Sequence, residues 1–288
     1  MQYIIRIKII SILSILIFVS CADILNDNEQ CNSVHLKGGG WIQFNATDIE
    51  NYLDNNFSLQ LWISGDSDES NDTKTILSIL NENNNNEIIF GLFRNTTINN
   101  GIDVYLNGTL VETIINDNLD WLTSTFNLIT ITCEDVLDVE EDIIKIFIND
   151  TEVFIYNQIN LQINGNDLII GGKVNTSKTI ASNFWTGYID EMRLWRKTLI
   201  IDEIIFHVNN PNKLISSNTG NYSDNILCDL VGLWRFNYNN PSYIINDESC
   251  LELNLSSGVS NNMPECEDFN DCHNINGIIY TLPGYNVE

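Results

Sequence analysis

Four sets of side chains in this sequence have types and spacings that could do chemistry. The first is the acidic run Val136-Leu137-Asp138-Val139-Glu140-Glu141. Retaining cleavage of a glycosidic bond needs two carboxyl groups about 5–5.5 Å apart, and Asp138 is the residue from which such a pair would be built. The run falls at a turn between two apolar stretches, a place where acids are ordinarily just solvated. The second is Asp190, inside the alternating stretch Gly187–Trp195. With a side-chain period of two it shares a face with Tyr188, Met192 and Leu194. A carboxylate on a core-facing strand needs compensation, because an unpaired buried charge is costly. A calcium ion could supply it, with backbone carbonyls from Gly38-Gly39-Gly40 or a neighbouring loop completing an oxygen shell. Backbone N–H groups or an arginine could do so without a metal. Glu191 and Arg193 then fall on the opposite face as a surface ion pair that contributes little. The third set is Trp41, Trp121 and Trp185, near the ends of apolar stretches, where a rim could stack sugars. Trp62, Trp195 and Trp234 lie within such stretches and are expected to pack.

The cysteines are the fourth set: Cys21, Cys31, Cys133, Cys228, Cys250, Cys266 and Cys272. No pair has CxxC spacing and the chain has only three histidines, so structural zinc and dithiol redox chemistry are not expected. Cys228, Cys250, Cys266 and Cys272 are disulfide candidates, with a local bridge between Cys266 and Cys272 as one possibility. Cys133 sits in a strand pattern and reads as a buried thiol. The Gly-x-Ser-x-Gly elbow, His-Glu-x-x-His and phosphate-cradling glycine loops are all missing.

Residues 1–21 read as a leader rather than as fold. Arg6 and Lys8 precede the apolar stretch Ile9–Val19, which is too short to span a bilayer as a helix of about 20 residues. It ends in Phe18-Val19-Ser20-Cys21, which resembles a bacterial lipobox, so Cys21 is the expected lipid attachment site. An ordinary secretory leader is the alternative, and either one exports the chain to the cell envelope, the cell surface or beyond. Six cysteines remain after Cys21, an even number that suits an oxidising compartment. The formal charge of −26 repels phosphate backbones, making nucleic acid a poor partner, and keeps an exported protein soluble.

The elements that must position these residues are short strands. Phe57–Ile63 alternates, placing Phe57, Leu59, Leu61 and Ile63 on one face. Thr75–Leu80 and Ile88–Phe93 read as a hairpin, as do Ile102–Leu106 and Leu110–Ile115 around the turn Asn107-Gly108. Leu128–Cys133 is a strand, Ile143–Ile148 and Glu152–Tyr156 flank Asn149-Asp150, and Leu168–Ile170 ends in Gly171-Gly172. One short helix is expected around Asp202–Ile205, closed by Asn209-Asn210-Pro211. Leu230–Phe236 is a further strand, and the polar stretch from Asn261 onward reads as part of a cysteine-bearing extension. The expected division is a leader at 1–21, a linker at 22–33, an all-β sandwich at 34–210 and a C-terminal extension at 211–288.

Several of these segments, in this order, resemble the laminin-G-like or pentraxin-like jelly-roll family of the concanavalin A-like superfamily. Phe57-Ser58-Leu59-Gln60-Leu61-Trp62-Ile63 is similar to an F-x-I-x-x-W-V strand. Phe126–Thr132 resembles W-H-H-V-A-x-T with both histidines replaced. Ile144–Thr151 resembles x-K-L-Y-V-D-G-x, and Leu168–Gly172 resembles L-x-I-G-G. Phe184–Trp195 resembles F-x-G-x-I-D-E-V-R-I-W, followed by Asp202-Glu203-Ile204. Leu230–Asn237 is similar to an L-V-G-Y-W-x-F-N strand that accompanies such domains. The likeness implies a two-sheet antiparallel jelly-roll sandwich. It also implies a structural Ca2+ through an aspartate at the place of Asp190.

For function, the resemblance implies a non-catalytic surface module that binds glycan; the alternative is a protein-interaction or adhesion module. The superfamily also contains β-glucanases, which place their acids as Glu-x-Asp-x-Glu. Here Val136 stands where the nucleophilic glutamate would be, so a glycoside hydrolase would need a second carboxylate brought to Asp138 in space.

Overall fold

The structure is a computed structural model. It describes residues 33–44, 56–66, 73–80, 88–95, 97–119, 121, 125–135, 142–159, 167–174, 181–211, 229–234, 244–245 and 277–281. The lipobox with Cys21, the acidic run with Asp138, and Cys31, Cys228, Cys250, Cys266 and Cys272 lie outside them.

The strands are β1 (Val34–Lys37), β2 (Gly40–Phe44), β3 (Phe57–Gly65), β4 (Lys74–Leu80), β5 (Ile88–Arg94), β6 (Gly101–Leu106), β7 (Thr109–Ile115), β8 (Asn127–Asp135), β9 (Asp142–Ile148) and β10 (Thr151–Ile159). They continue as β11 (Leu168–Ile170), β12 (Lys173–Val174), β13 (Ala181–Ser182), β14 (Thr186–Trp195), β15 (Leu230–Trp234), β16 (Ile244–Ile245) and β17 (Gly277–Thr281), with one helix among the described residues, α1 (Ile201–Asn209). The first sheet runs β1-β14-β3-β8-β9-β10, with β15 also on β14. The second runs β16-β17-β2-β11-β4-β5-β6-β7, and β12 and β13 form a separate ribbon. Paired strands are antiparallel, and neighbours distant in sequence, such as β14 with β3 and β2 with β11, make the crossovers of a jelly roll.

Period-two alternation builds the core. Leu59, Leu61 and Ile63 of β3, Ile129, Ile131 and Cys133 of β8, and Ile144, Ile146 and Ile148 of β9 face Ile42, Phe44, Phe90, Leu92, Ile102, Val104, Leu168 and Ile170 of the second sheet. Cys133 is a thiol inside this core. The turn Asn107-Gly108 has φ of +46° and +74°, the left-handed pair that a two-residue hairpin needs.

The stretch after Pro211, read from sequence as an extension, contributes to both sheets. β15 pairs with the C-terminal half of β14, and β17 pairs with β2. Residue 210 is therefore not a boundary in the sheets. β17 is five residues long and pairs with β2 over four of them, and so short a run carries little periodic signal.

β14 is the strand on which the rest turns. Its register with β3 runs Gly187↔Gly65 to Asp190↔Trp62, then jumps to Arg193↔Gln60. Two residues, Glu191 and Met192, thus oppose Leu61 alone, a β-bulge with Glu191 at φ +35°. The bulge falls between the segment that pairs with β1 (residues 186–189) and the one that pairs with β15 (residues 192–195). It reverses the alternation. Ile189 points into the core before it, and Met192 and Leu194 after it. The expectation that Asp190 shares a face with Met192 and Leu194 is corrected by this one extra residue.

Candidate functional site

The outer face of the first sheet divides at the bulge. Beyond it, Arg193 and Trp195 lie in register with Gln60 and Ser58 of β3, and these with Thr130 and Thr132 of β8. α1 covers this half. Its N-terminus is held by Glu203, whose carboxylate accepts the Ile200 N–H at 3.0 Å and pairs with Lys197 at 2.8 Å. Ile204 packs with Trp195, Leu199, Phe147, Leu230 and Leu233, and His207 stacks on Trp195 with ring centroids 5.4 Å apart. Polar groups sealed under the helix are linked: Trp195 Nε1 donates to Gln60 Oε1 at 3.2 Å, and Gln60 Nε2 to Thr130 Oγ1 at 3.3 Å.

Arg193 is fully buried there. It donates through Nε to Glu191 Oε1 at 3.1 Å, and through Nη2 to the same carboxylate and to the Pro211 carbonyl. The surface pair expected at Glu191 and Arg193 is instead a buried one. The bulge turns both side chains to where α1 covers them. Burial holds the His207 imidazole well below its ordinary pKa, with Arg193 adding to the effect. Both His207 nitrogens and Arg193 Nη1 lack hydrogen-bond partners among the described residues.

Before the bulge the same face is partly exposed. His35 and Tyr188 are paired across β1 and β14 and stack with centroids 4.1 Å apart and planes 13° from parallel. Tyr188 opposes the small Ser64, beyond which Phe126 approaches Tyr188 at 6.4 Å and stands 37% exposed. In the next row Asp190 opposes Trp62, which opposes the buried Leu128. Trp62, Tyr188, His35 and Asp190 are each half-buried. Asp190 Oδ1 accepts the Glu191 N–H at 2.7 Å, and His35 Nε2 lies 3.4 Å from Asp66 Oδ2. Trp62 Nε1 has no partner among the described residues. Four ring systems and two carboxylates are thus gathered on one partly accessible strip. Aromatic rings take the apolar C–H faces of a ligand and carboxylates accept its hydroxyl hydrogens.

The three tryptophans expected at a rim do not line this strip. Trp121 and Trp185 are fully buried, pack edge to face at 5.3 Å, and donate to the Gly101 and Ser64 carbonyls at 3.2 and 3.3 Å. A Cβ at the neighbouring Gly187, φ +140°, would meet Ser64 O at 2.1 Å, so this close approach needs glycine. Trp41 is 6% exposed on the outer face of the second sheet, beside Phe184 and clustered with Leu80, Ile88, Phe93 and Ile169. It donates to Gln43, whose Nε2 in turn reaches Asp167 at 2.6 Å. The expectation that these indoles stack a ligand is corrected: large rings at strand ends close the core instead. For Asp190, a backbone N–H supplies compensation. No group of three or more His, Cys, Asp and Glu side chains able to hold a metal occurs among the described residues.

A concavity of about 410 Å³ lies between the edge strands β7 and β10 and is lined by Val111, Ile114, Ile115, Val153, Ile155 and Tyr156, among others.

The match to known proteins is one of fold. A laminin G family model described as belonging to the concanavalin A-like lectin/glucanases superfamily matches residues 36–205. No curated protein matches the chain in sequence. Among solved structures, a Bacteroides ovatus protein described as carbohydrate binding superposes with a TM-score of 0.51 at 12% identity, over 88% of this chain and 61% of that one. The SAP-like pentraxin of Limulus polyphemus gives 0.43 at 10% identity, over 61% of this chain and 81% of that one. The CBM40 module of a Ruminococcus gnavus sialidase, bound to α2,3-sialyllactose, gives 0.47 at 15%, over 62% and 96%. The family match spans more than half of a chain whose two antiparallel sheets close as a jelly roll: this protein belongs to the concanavalin A-like lectin/glucanases superfamily.

Proposed function

We propose that this chain is a non-catalytic glycan-binding module, and that sugar docks on the open strip of the first sheet. The observation that carries the reading is the convergence of His35, Tyr188, Phe126 and Trp62 beside Asp190 on one accessible face. The shared fold of the Bacteroides ovatus protein described as carbohydrate binding supports it. Stacked rings add about 0.5–1.5 kcal/mol beyond the area they bury. Replacing Tyr188 or Trp62 by Ala is therefore expected to weaken binding about tenfold. A glycan array followed by titration calorimetry on wild type, Tyr188→Ala and Trp62→Ala tests this. Undiminished binding in both variants removes the strip from the reading, and no binding by wild type removes the function. Running the array with EDTA tests a structural calcium at Asp190: unchanged binding and melting temperature speak against the ion.

A protein partner is the second reading, favoured by the edge cleft. Ile115 and Ile155 stand 60% and 53% exposed on β7 and β10, where an added strand could pair. Charged substitutions at both positions that leave every captured protein in place would eliminate it. The same proposal puts the chain outside the cell with Cys21 as lipid anchor. Mass spectrometry of the mature N-terminus decides that point: an acylated Cys21 supports it and an unmodified one overturns it.

A further inference from the structure

We infer that the open strip selects uncharged sugars over sugar acids. The inference rests on the glycan-binding reading and goes beyond it to ligand class. Recognition of a carboxylate characteristically uses a guanidinium, whose planar fork gives two parallel charge-assisted hydrogen bonds. Among the described residues the arginines are Arg94, Arg193 and Arg196, and none lies on the strip. Arg94 ends β5 in the second sheet. Arg193 is sealed under α1 with Glu191 and the Pro211 carbonyl. Arg196 follows the far end of β14, 3.6 Å from Asp229.

What the strip carries instead is acid. Asp190 faces outward beside Trp62, and Asp66 lies against His35 with its side chain 42% exposed. Lys37, opposite Thr186 on the same outer face two residues along β1 from His35, is the cation at the strip's end, a point charge on a flexible stem rather than a fork. The field of the whole chain, at −26, has the same sign as the two aspartates. A neutral sugar presents C–H faces to the rings and hydroxyl donors to the carboxylates. A sugar acid presents the same groups plus a charge that both aspartates repel.

The experiment is titration of the full mature chain against matched pairs of oligosaccharides, lactose against sialyllactose and a neutral hexose oligomer against its uronic-acid counterpart, at low and high salt. The neutral member is expected to bind at least fivefold tighter at low salt. The gap should narrow to less than twofold at 1 M salt, where the Debye length is about 3 Å. Asp190→Asn keeps an oxygen for the Glu191 N–H and removes one of the two negative charges, so it should narrow the low-salt gap, read as the ratio of the two affinities whatever the variant does to neutral binding itself. Acidic sugars that bind as tightly as neutral ones, or a gap unmoved by salt and by Asp190→Asn, overturn the inference and leave glycan binding standing. Absence of binding to every oligosaccharide overturns both.

Discussion

The two halves of one sheet face, continuous in hydrogen bonding and built from the same strands, have opposite fates. Beyond the bulge, Arg193, Gln60, Thr130 and Trp195 are fully buried; Trp195, Gln60 and Thr130 are linked to one another, and Arg193 is held by Glu191 and the Pro211 carbonyl. Before it, Tyr188, Trp62 and Asp190 stay partly exposed. A single extra residue, Glu191, marks the line between them. On the proposed reading, the contrast separates stability from recognition. Groups under the helix are costly to disturb and touch no solvent, whereas those on the strip can change ligands with little effect on the fold.

That separation can be broken in order of expected effect. Arg193→Ala removes the guanidinium that pairs with the buried Glu191 carboxylate, and losing one member of such a pair costs about 3–5 kcal/mol. Urea denaturation should show the loss, and sugar affinity of the remaining folded protein should not change. Ile204→Ala, on the buried side of α1, should cost about 2–5 kcal/mol by the same assay, again without changing affinity.

Acid tests the covered half differently. The folded pKa of His207 lies below the unfolded value of about 6.5. Above that pH both states are neutral at this residue, so it adds no pH dependence. As pH falls through it, the unfolded chain takes up the proton first and stability declines. Asp229, raised by burial, acts in the opposite sense at lower pH, where the folded state takes its proton first. Thermal melts from pH 7.5 to 5 should show the decline, and His207→Gln should flatten it. The smallest stability effect belongs to the strip. Phe126→Ser should change the unfolding free energy by no more than about 0.5 kcal/mol, while lowering sugar affinity a fewfold. A large stability loss at Phe126 together with a negligible one at Ile204 would erase the division.

Much of the sandwich was legible in the sequence because period two is a strong signal where one face is buried. Leu59-Gln60-Leu61-Trp62-Ile63, Ile129-Thr130-Ile131-Thr132-Cys133 and the Asn107-Gly108 turn lie where their patterns put them. The helix also starts and stops near its signals, at Ile201 and Asn209. The strip was not legible. Residues 187–195 alternate plausibly in either parity, and nothing local announces the extra residue that moves Asp190 to the outside and buries Arg193. The aromatic cluster is also non-local. His35, Trp62, Phe126 and Tyr188 come from four separate segments, and only the registers of β1, β3, β8 and β14 unite them. The tryptophans at strand ends misled for a different reason: position along a strand says nothing about which way an indole points, and burial decided it.

The placement of β15 bears on where this molecule begins to be whole. Trp234 inserts between the sheets against Phe44, its ring 4.7 Å away, although it lies 29 residues past the last position of the family match at 205. An excised fragment stopping at Pro211 would lack that wedge, and half of one border of β14 would be left as an open template for foreign strands. The family match and the two sheets therefore do not end at the same residue: β15 and β17, both past position 205, each add a strand to one sheet.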